Sequence, residues 1–166
     1  MGKISIRLSK EEDVSYLIQW LMEPGVLQWF PMDNRREVEI SARIQMSYIK
    51  EESAFTACID GKPCGMANLY LNSFKKLSHQ CLFAIIVGEK YRNQGIGTMI
   101  LKEMIYQGRE KFHLDSLLLE VYENNPAISL YRRFDFKEYG RQERFLKKDG
   151  QYLAKIFMQK KLDACF

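Results

Sequence analysis

The run from Cys81 to Ile105 constrains this chain more than any other part of it. Seven apolar residues, Cys-Leu-Phe-Ala-Ile-Ile-Val, lead into Gly88. A basic loop follows, Glu-Lys-Tyr-Arg-Asn-Gln-Gly-Ile-Gly-Thr, and then Ile100, Leu101, Met104 and Ile105 recur at helical spacing. An unbroken apolar run of this length predicts a strand covered on both faces. A strand that feeds a helix through a short loop needs a crossover to a parallel neighbour, and Leu117 to Tyr122 supplies it. The loop between them is built like an anion cradle. Gly95 and Gly97 let the backbone approach a ligand closely, the next helix presents its positive end, and Arg92 adds a fixed charge. The competing reading of the loop alone is a tight turn with no ligand.

The remaining elements fit around this unit. Ile4, Ile6 and Leu8 alternate as a first strand, and Ser9 with Glu12 reads as a capping box for a helix carrying Val14, Leu17, Ile18 and Leu21. Pro24-Gly25 stops that helix, and an irregular aromatic stretch to Asp33 leads to a second helix over 35–50. Strands are predicted over 53–59 and 64–71, joined by the hairpin signal Asp60-Gly61. After the crossover, 126–133 reads as a short helix, and 134–139 and 152–158 read as a closing strand pair around Lys148-Asp149-Gly150. The order β-α-α-β-β-β-α-β-α-β-β implies an α/β domain with a mixed sheet. No repeat, low-complexity run or linker divides residues 1–166, so a single domain is expected.

With 46% hydrophobic and 28% charged residues, the composition is that of a soluble globular chain. The net charge of +4 suits a small anionic ligand and does not argue for nucleic acid, and no apolar run is long enough for a membrane span. Cys58, Cys64, Cys81 and Cys165 lack metal-ligand spacing, so no metal is expected. Three of them sit in strand-like segments and read as buried, reduced thiols, which with the absence of a secretory core points to the cytoplasm. His79 and His113 read as surface residues.

Two phosphate ligands are removed by the loop itself. A nucleotide triphosphate loop needs Gly-Lys-Ser/Thr, and Thr98-Met99 follows Gly97 here. A dinucleotide loop needs a third glycine where this chain has Ile100. The downstream residues supply a third ligand. Arg92-x-x-Gly95-x-Gly97 after an apolar strand, then Asn124-Asn125 and Ala127-Ile-Ser-Leu-Tyr131 ending in Asp135-Phe136, resembles the GNAT family of N-acetyltransferases. The specific motifs lie in residues 81–136, and the element order matches over almost the whole chain. Asp135 stands where the family carries glycine; aspartate tolerates the left-handed conformation such a turn requires. The segment from Leu119 to Ala127 is one residue shorter than the family pattern, so either Asn124 or Asn125 takes the place of the asparagine that meets pantetheine.

The resemblance implies a GNAT-like fold, with a mostly antiparallel mixed sheet of about seven strands flanked by about four helices. It also implies acetyl-coenzyme A as cosubstrate and direct attack by a primary amine in a ternary complex. Backbone N–H groups of Arg92, Asn93, Gln94, Gly95, Ile96, Gly97 and Thr98 would then hold the pyrophosphate. Pantetheine would pair with the backbone of Ile85, Ile86 and Val87 like an added strand, with an N–H near Val87 polarising the thioester. Tyr131 falls where the family places the tyrosine serving the leaving thiolate. Glu120 interrupts an apolar strand, where desolvation would make its carboxylate a better base.

The resemblance implies a small-molecule or peptide amine as the acceptor. Its groove would be built from Glu23–Asp33, with Trp29, Phe30 and Asp33, and from the region around 139–152. Arg141, Arg144, Lys147 and Lys148 in that second region suit an acidic acceptor or a solvated face. Oligomeric state is open, with a homodimer as the candidate. A non-catalytic acyl-coenzyme A sensor is the alternative to an enzyme.

Overall fold

A computed structural model describes residues 2–162. The strands are β1 (Ile4–Leu8), β2 (Ala54–Ile59), β3 (Lys62–Tyr70), β4 (Gln80–Val87), β5 (Ser116–Tyr122), β6 (Lys137–Lys148) and β7 (Gln151–Lys161). The helices are α1 (Val14–Leu21), α2 (Arg35–Ser47), α3 (Ile96–Glu110) and α4 (Ala127–Arg133). One sheet runs β1-β2-β3-β4-β5-β7-β6, and β4–β5 is its parallel pair, as the crossover requires.

Local chemistry sets most boundaries. Asp60 and Gly61 both take positive φ, 48° and 80°, as a type I′ turn demands, and pair Ile59 with Lys62. Asn34 caps α2 by accepting the Glu37 N–H at 3.1 Å, while the Glu37 carboxylate accepts the Asp33 N–H at 2.7 Å. Asp135 takes φ 61°, the left-handed conformation expected of it. The capping box expected at Ser9 is not formed. Ser9 is buried with its hydroxyl 2.8 Å from that of Thr56, and Asp13 instead accepts the Lys10 N–H at 2.9 Å. A carboxylate reaching back over one tight turn is the stronger acceptor there.

Helices cover both faces of the sheet. On one face Ile100, Leu101 and Met104 of α3 and Ile128 of α4 pack on Leu69, Phe83 and Leu117. On the other, Leu17, Trp20 and Leu21 of α1 and Val38 and Ala42 of α2 pack on Met66. Alternation along β3 and β4 sends Ala67, Leu69, Phe83 and Ile85 to the first layer and Met66 and Ile86 to the second. Each fully buried Leu, Ile or Met contributes about 1.5–3 kcal/mol of transfer free energy. Cys58, Cys64 and Cys81 are free and buried, with the Cys64 and Cys81 thiols pushed up by burial to about 11 and about 12. Such thiols stay protonated and inert. Cys165 lies outside the described residues.

The sheet departs from the expected pattern in two places. The parallel register runs Gln80↔Ser116, Cys81↔Leu117 and Leu82↔Leu118, then stops. β4 stays with β3 as far as Val87↔Gly65, while β5 stays with β7 as far as Tyr122↔Lys155, so the two strands part. Expected to be covered throughout, β4 is therefore only half-buried from Ala84 to Val87. Its apolar side chains line an opening. The closing pair is also longer than the predicted 134–139 and 152–158. β6 is an edge strand with mostly exposed residues, so no apolar alternation marks its extent.

Candidate active site

The opening between β4 and β5 is a cavity of about 730 Å³. Phe83 to Val87 form one wall and Leu119 to Val121 the opposite wall. Arg92, Asn93 and Gly95 to Thr98 close one end, α4 contributes Ser129, Leu130, Tyr131 and Arg133, and Trp29 and Phe30 come from the loop after α1.

The anion loop has the backbone its sequence implies. Asn93 and Gly95 take positive φ, 59° and 80°, which turn the chain sharply into α3. A Cβ on Gly95 would meet nothing within 4 Å, so conformation and not space requires glycine there. The first α3 bond runs from the Met99 N–H to the Gly95 carbonyl at 3.1 Å. The N–H groups of Ile96, Gly97 and Thr98 precede it, outside the helical ladder and beside the cavity, at the positive end of the helix. Arg92 is less free than its sequence suggests. Its Nε donates to the Val87 carbonyl at 3.0 Å and its Nη2 lies 3.2 Å from Glu23 Oε2.

The parted edge of β4 fits an amide-bearing chain. Beyond Leu82 no residue of β5 pairs with it, so on that side the backbone groups of Ile85 and the Val87 N–H are open to a strand-like ligand, the Val87 carbonyl being held by Arg92. Together with three free N–H groups at a helix start, this edge suits a coenzyme with a pyrophosphate joined to a pantetheine arm.

Ile85, Ile86, Val87, Arg92, Asn93, Gly95, Ile96, Gly97, Thr98, Glu120, Asn125 and Tyr131 meet around this one cavity. Gln94 does not line it; its amide turns back to the Lys90 carbonyl at 2.8 Å. Of the two asparagines, Asn125 lines the wall, with its Oδ1 accepting the Ala127 N–H at 2.9 Å. Asn124 is exposed with φ 65°, the residue that absorbs the turn.

Tyr131 is buried, edge-on to Phe83 at 6.1 Å and to Phe136 at 6.0 Å, and burial pushes its hydroxyl up to about 12. It is neutral across the physiological range. Glu120 differs from expectation. It is exposed and ion-paired with Lys155, which also sits over the Phe145 ring at 3.8 Å, in place of the half-buried position its apolar neighbours suggest. The basic residues of β6 are used in pairs. Arg141 bonds Glu123 and Glu143, Lys148 lies 3.1 Å from Asp33, and Arg144 stacks on Tyr152 at 4.0 Å. None of the four lines the cavity. Nothing in the residue pattern marks Arg133 or Phe83 as cavity residues, since both read there as ordinary helix and strand positions.

The sequence pattern of the Acetyltransferase (GNAT) family matches residues 14–136. The chain is 28% identical over 164 residues to the L-amino acid N-acetyltransferase AaaT of Escherichia coli, covering 95% of this chain and 98% of that one. It is 27% identical over 158 residues to spermidine N(1)-acetyltransferase of the same bacterium, covering 93% and 84%. A solved GNAT-family acetyltransferase from Streptococcus pneumoniae superposes with a TM-score of 0.76 at 25% identity, covering 96% of this chain and 99% of that one. With the parted strands and the glycine loop in place, the chain belongs to the GNAT family of acetyltransferases.

Proposed function

We propose that the chain moves an acetyl group from acetyl-coenzyme A to the primary amine of a small molecule, by direct attack in the cleft between β4 and β5. The observation that carries this reading is the loss of β4–β5 pairing beside the glycine loop, which sets an open strand edge next to an anion site. Arg92, Asn93 and Gly95 to Thr98 hold the pyrophosphate, the β4 edge from Ile85 to Val87 aligns the pantetheine arm, and Asn125 meets it from the other side. The bound cosubstrate supplies an activated acetyl group as a thioester.

Tyr131 donates a hydrogen bond to the departing sulfur. With burial holding its hydroxyl up at about 12 and a thiol ordinarily at about 8.5, Tyr131 gives up its proton far less readily than the departing thiol. Its work is therefore to stabilise charge, not to give up its proton. The amine must arrive neutral. Glu120 is the one carboxylate among the described lining residues, so it accepts the amine proton, directly or through water. Trp29 and Phe30 form an apolar wall for the acceptor body. The relatives named for L-amino acids and spermidine both act on small amines, which supports the same class here. The buried thiols suit a reducing compartment, the cytoplasm.

The test is release of free thiol from acetyl-coenzyme A across amino acids, polyamines, amino sugars and peptide N-termini. The reading requires turnover with at least one small amine. Binding of the cosubstrate without thiol release on any of them would favour a sensor instead.

A further inference from the structure

The glycine loop is gripped from behind by the end of α1. Glu23, just past that helix, accepts the Glu89 N–H at 2.9 Å and pairs with Arg92 Nη2 at 3.2 Å through the same oxygen, Oε2. Arg92 in turn sends Nε to the Val87 carbonyl at 3.0 Å. Trp20, one turn earlier, lies against Gly88, where a Cβ would come within 2.6 Å of the indole nitrogen. The two α1-side residues thus hold both ends of the turn that joins β4 to the anion loop. Pro24 and Gly25, directly after Glu23, already line the cavity.

A carboxylate behind an anion site is unexpected on charge alone, because it repels the ligand. Here Arg92 takes up that charge. The side chain of Glu23 is 17% exposed and that of Arg92 42%, so the pair sits at the edge of the protein with the guanidinium on the wetter side. A loose arginine would lose its rotamer freedom on meeting an anion; one already fixed by Glu23 and Val87 loses little.

We infer that Glu23 is a positioning residue for coenzyme A binding, fixing Arg92 and the Gly88–Arg92 turn before the ligand arrives. This rests on the reading that the loop holds the pyrophosphate. Glu23 acts in one unit with Arg92, so the two are not independent: without Arg92, the Glu23 charge faces the anion unmasked.

Calorimetry of coenzyme A binding to the full chain, with a melting curve for each variant, tests this. Glu23→Ala weakens binding about tenfold, the loss of one charge-assisted contact. Glu23→Gln keeps an acceptor oxygen and stays within about threefold of wild type. Arg92→Ala weakens binding more than Glu23→Ala does, and adding Glu23→Ala to it restores part of the affinity. Wild-type affinity in Glu23→Ala overturns the inference, as does a double variant weakened by the product of the single effects. Equal loss of affinity and melting temperature in Glu23→Gln and Glu23→Ala also overturns it, since that is the mark of a purely structural role. If Arg92→Ala binds normally, the pyrophosphate reading itself falls; if Arg92→Ala is impaired and Glu23→Ala is not, only the role of Glu23 falls.

Discussion

Leu82 of β4 and Leu118 of β5 are the last partners of the parallel ladder, and the cavity begins where their pairing ends. An unpaired strand edge within a domain calls for a partner for its N–H and C=O groups. On addition of coenzyme A, the amides of Ile85 and Val87, which face away from β3, exchange at least about tenfold more slowly, while that of Ile86, already paired with β3, changes less. Amides of β1 and β2, remote from the cleft, keep their rates. Hydrogen exchange read by mass spectrometry distinguishes this from uniform stabilisation.

Asp13 carries a stability prediction with a definite sign. Its carboxylate is 1% exposed and meets Arg7 at 2.7 and 2.9 Å, Thr56 at 2.9 Å and the Lys10 N–H at 2.9 Å. Desolvation pushes its pKa up, but the bonds from Arg7, Lys10 and Thr56 outweigh that and leave it below the ordinary 3.8. The unfolded chain therefore takes up this proton first. The stabilisation is complete above about pH 4 and is lost as pH falls through the lower native value. Asp13→Ala costs about 2–3 kcal/mol at pH 7, less than a fully buried pair because Arg7 stays one-third exposed. Urea unfolding at pH 7 and pH 3 checks both statements: the variant's deficit shrinks at the lower pH.

Gly88 and Gly95 require glycine for different reasons, and substitution separates them. Gly88→Ala drives a Cβ into Trp20 and costs about 1–3 kcal/mol through overpacking. Gly95→Ala meets no atom but must hold φ 80°, which costs about 1–2 kcal/mol. Combining each with Trp20→Phe discriminates them in denaturant midpoints. The smaller ring relieves part of the Gly88→Ala cost and none of the Gly95→Ala cost.

Glu120→Gln slows turnover by about ten- to a hundredfold at neutral pH if the carboxylate takes the amine proton. The loss narrows toward pH 10, where a growing fraction of the acceptor amine is already neutral in solution. A pH-rate profile on any accepted amine reads this directly. A constant loss at every pH would assign Glu120 to acceptor binding alone.

Much of this was legible in the residues because the signals are local. Asp60-Gly61, the turn at Asp135 and the loop from Arg92 to Thr98 each need particular backbone conformations, and the residue types declare them. The parallel crossover followed from one apolar run and one helix. What stayed hidden depends on contacts between distant segments. The parting of β4 from β5 leaves no mark on either strand, since an apolar residue facing a cavity reads like one facing a core. The same holds for Glu120, whose Lys155 partner lies 35 residues away, and for Asn124 against Asn125, which only the turn geometry separates. Arg92 kept its place at the site, but its bond to Glu23, 69 residues earlier, could not be read from a motif.

If the Tyr131 hydroxyl serves the leaving sulfur, its removal alone slows acetyl transfer in the cleft without loosening the cosubstrate. Tyr131→Phe keeps the ring packed against Phe83 and Phe136 and removes only the hydroxyl. Coenzyme A affinity and kcat are measured side by side with an accepted amine. Affinity is expected to stay within about threefold of wild type while kcat falls by about a hundredfold or more. Tyr131→Phe turning over at the wild-type rate with coenzyme A bound removes the hydroxyl from the mechanism.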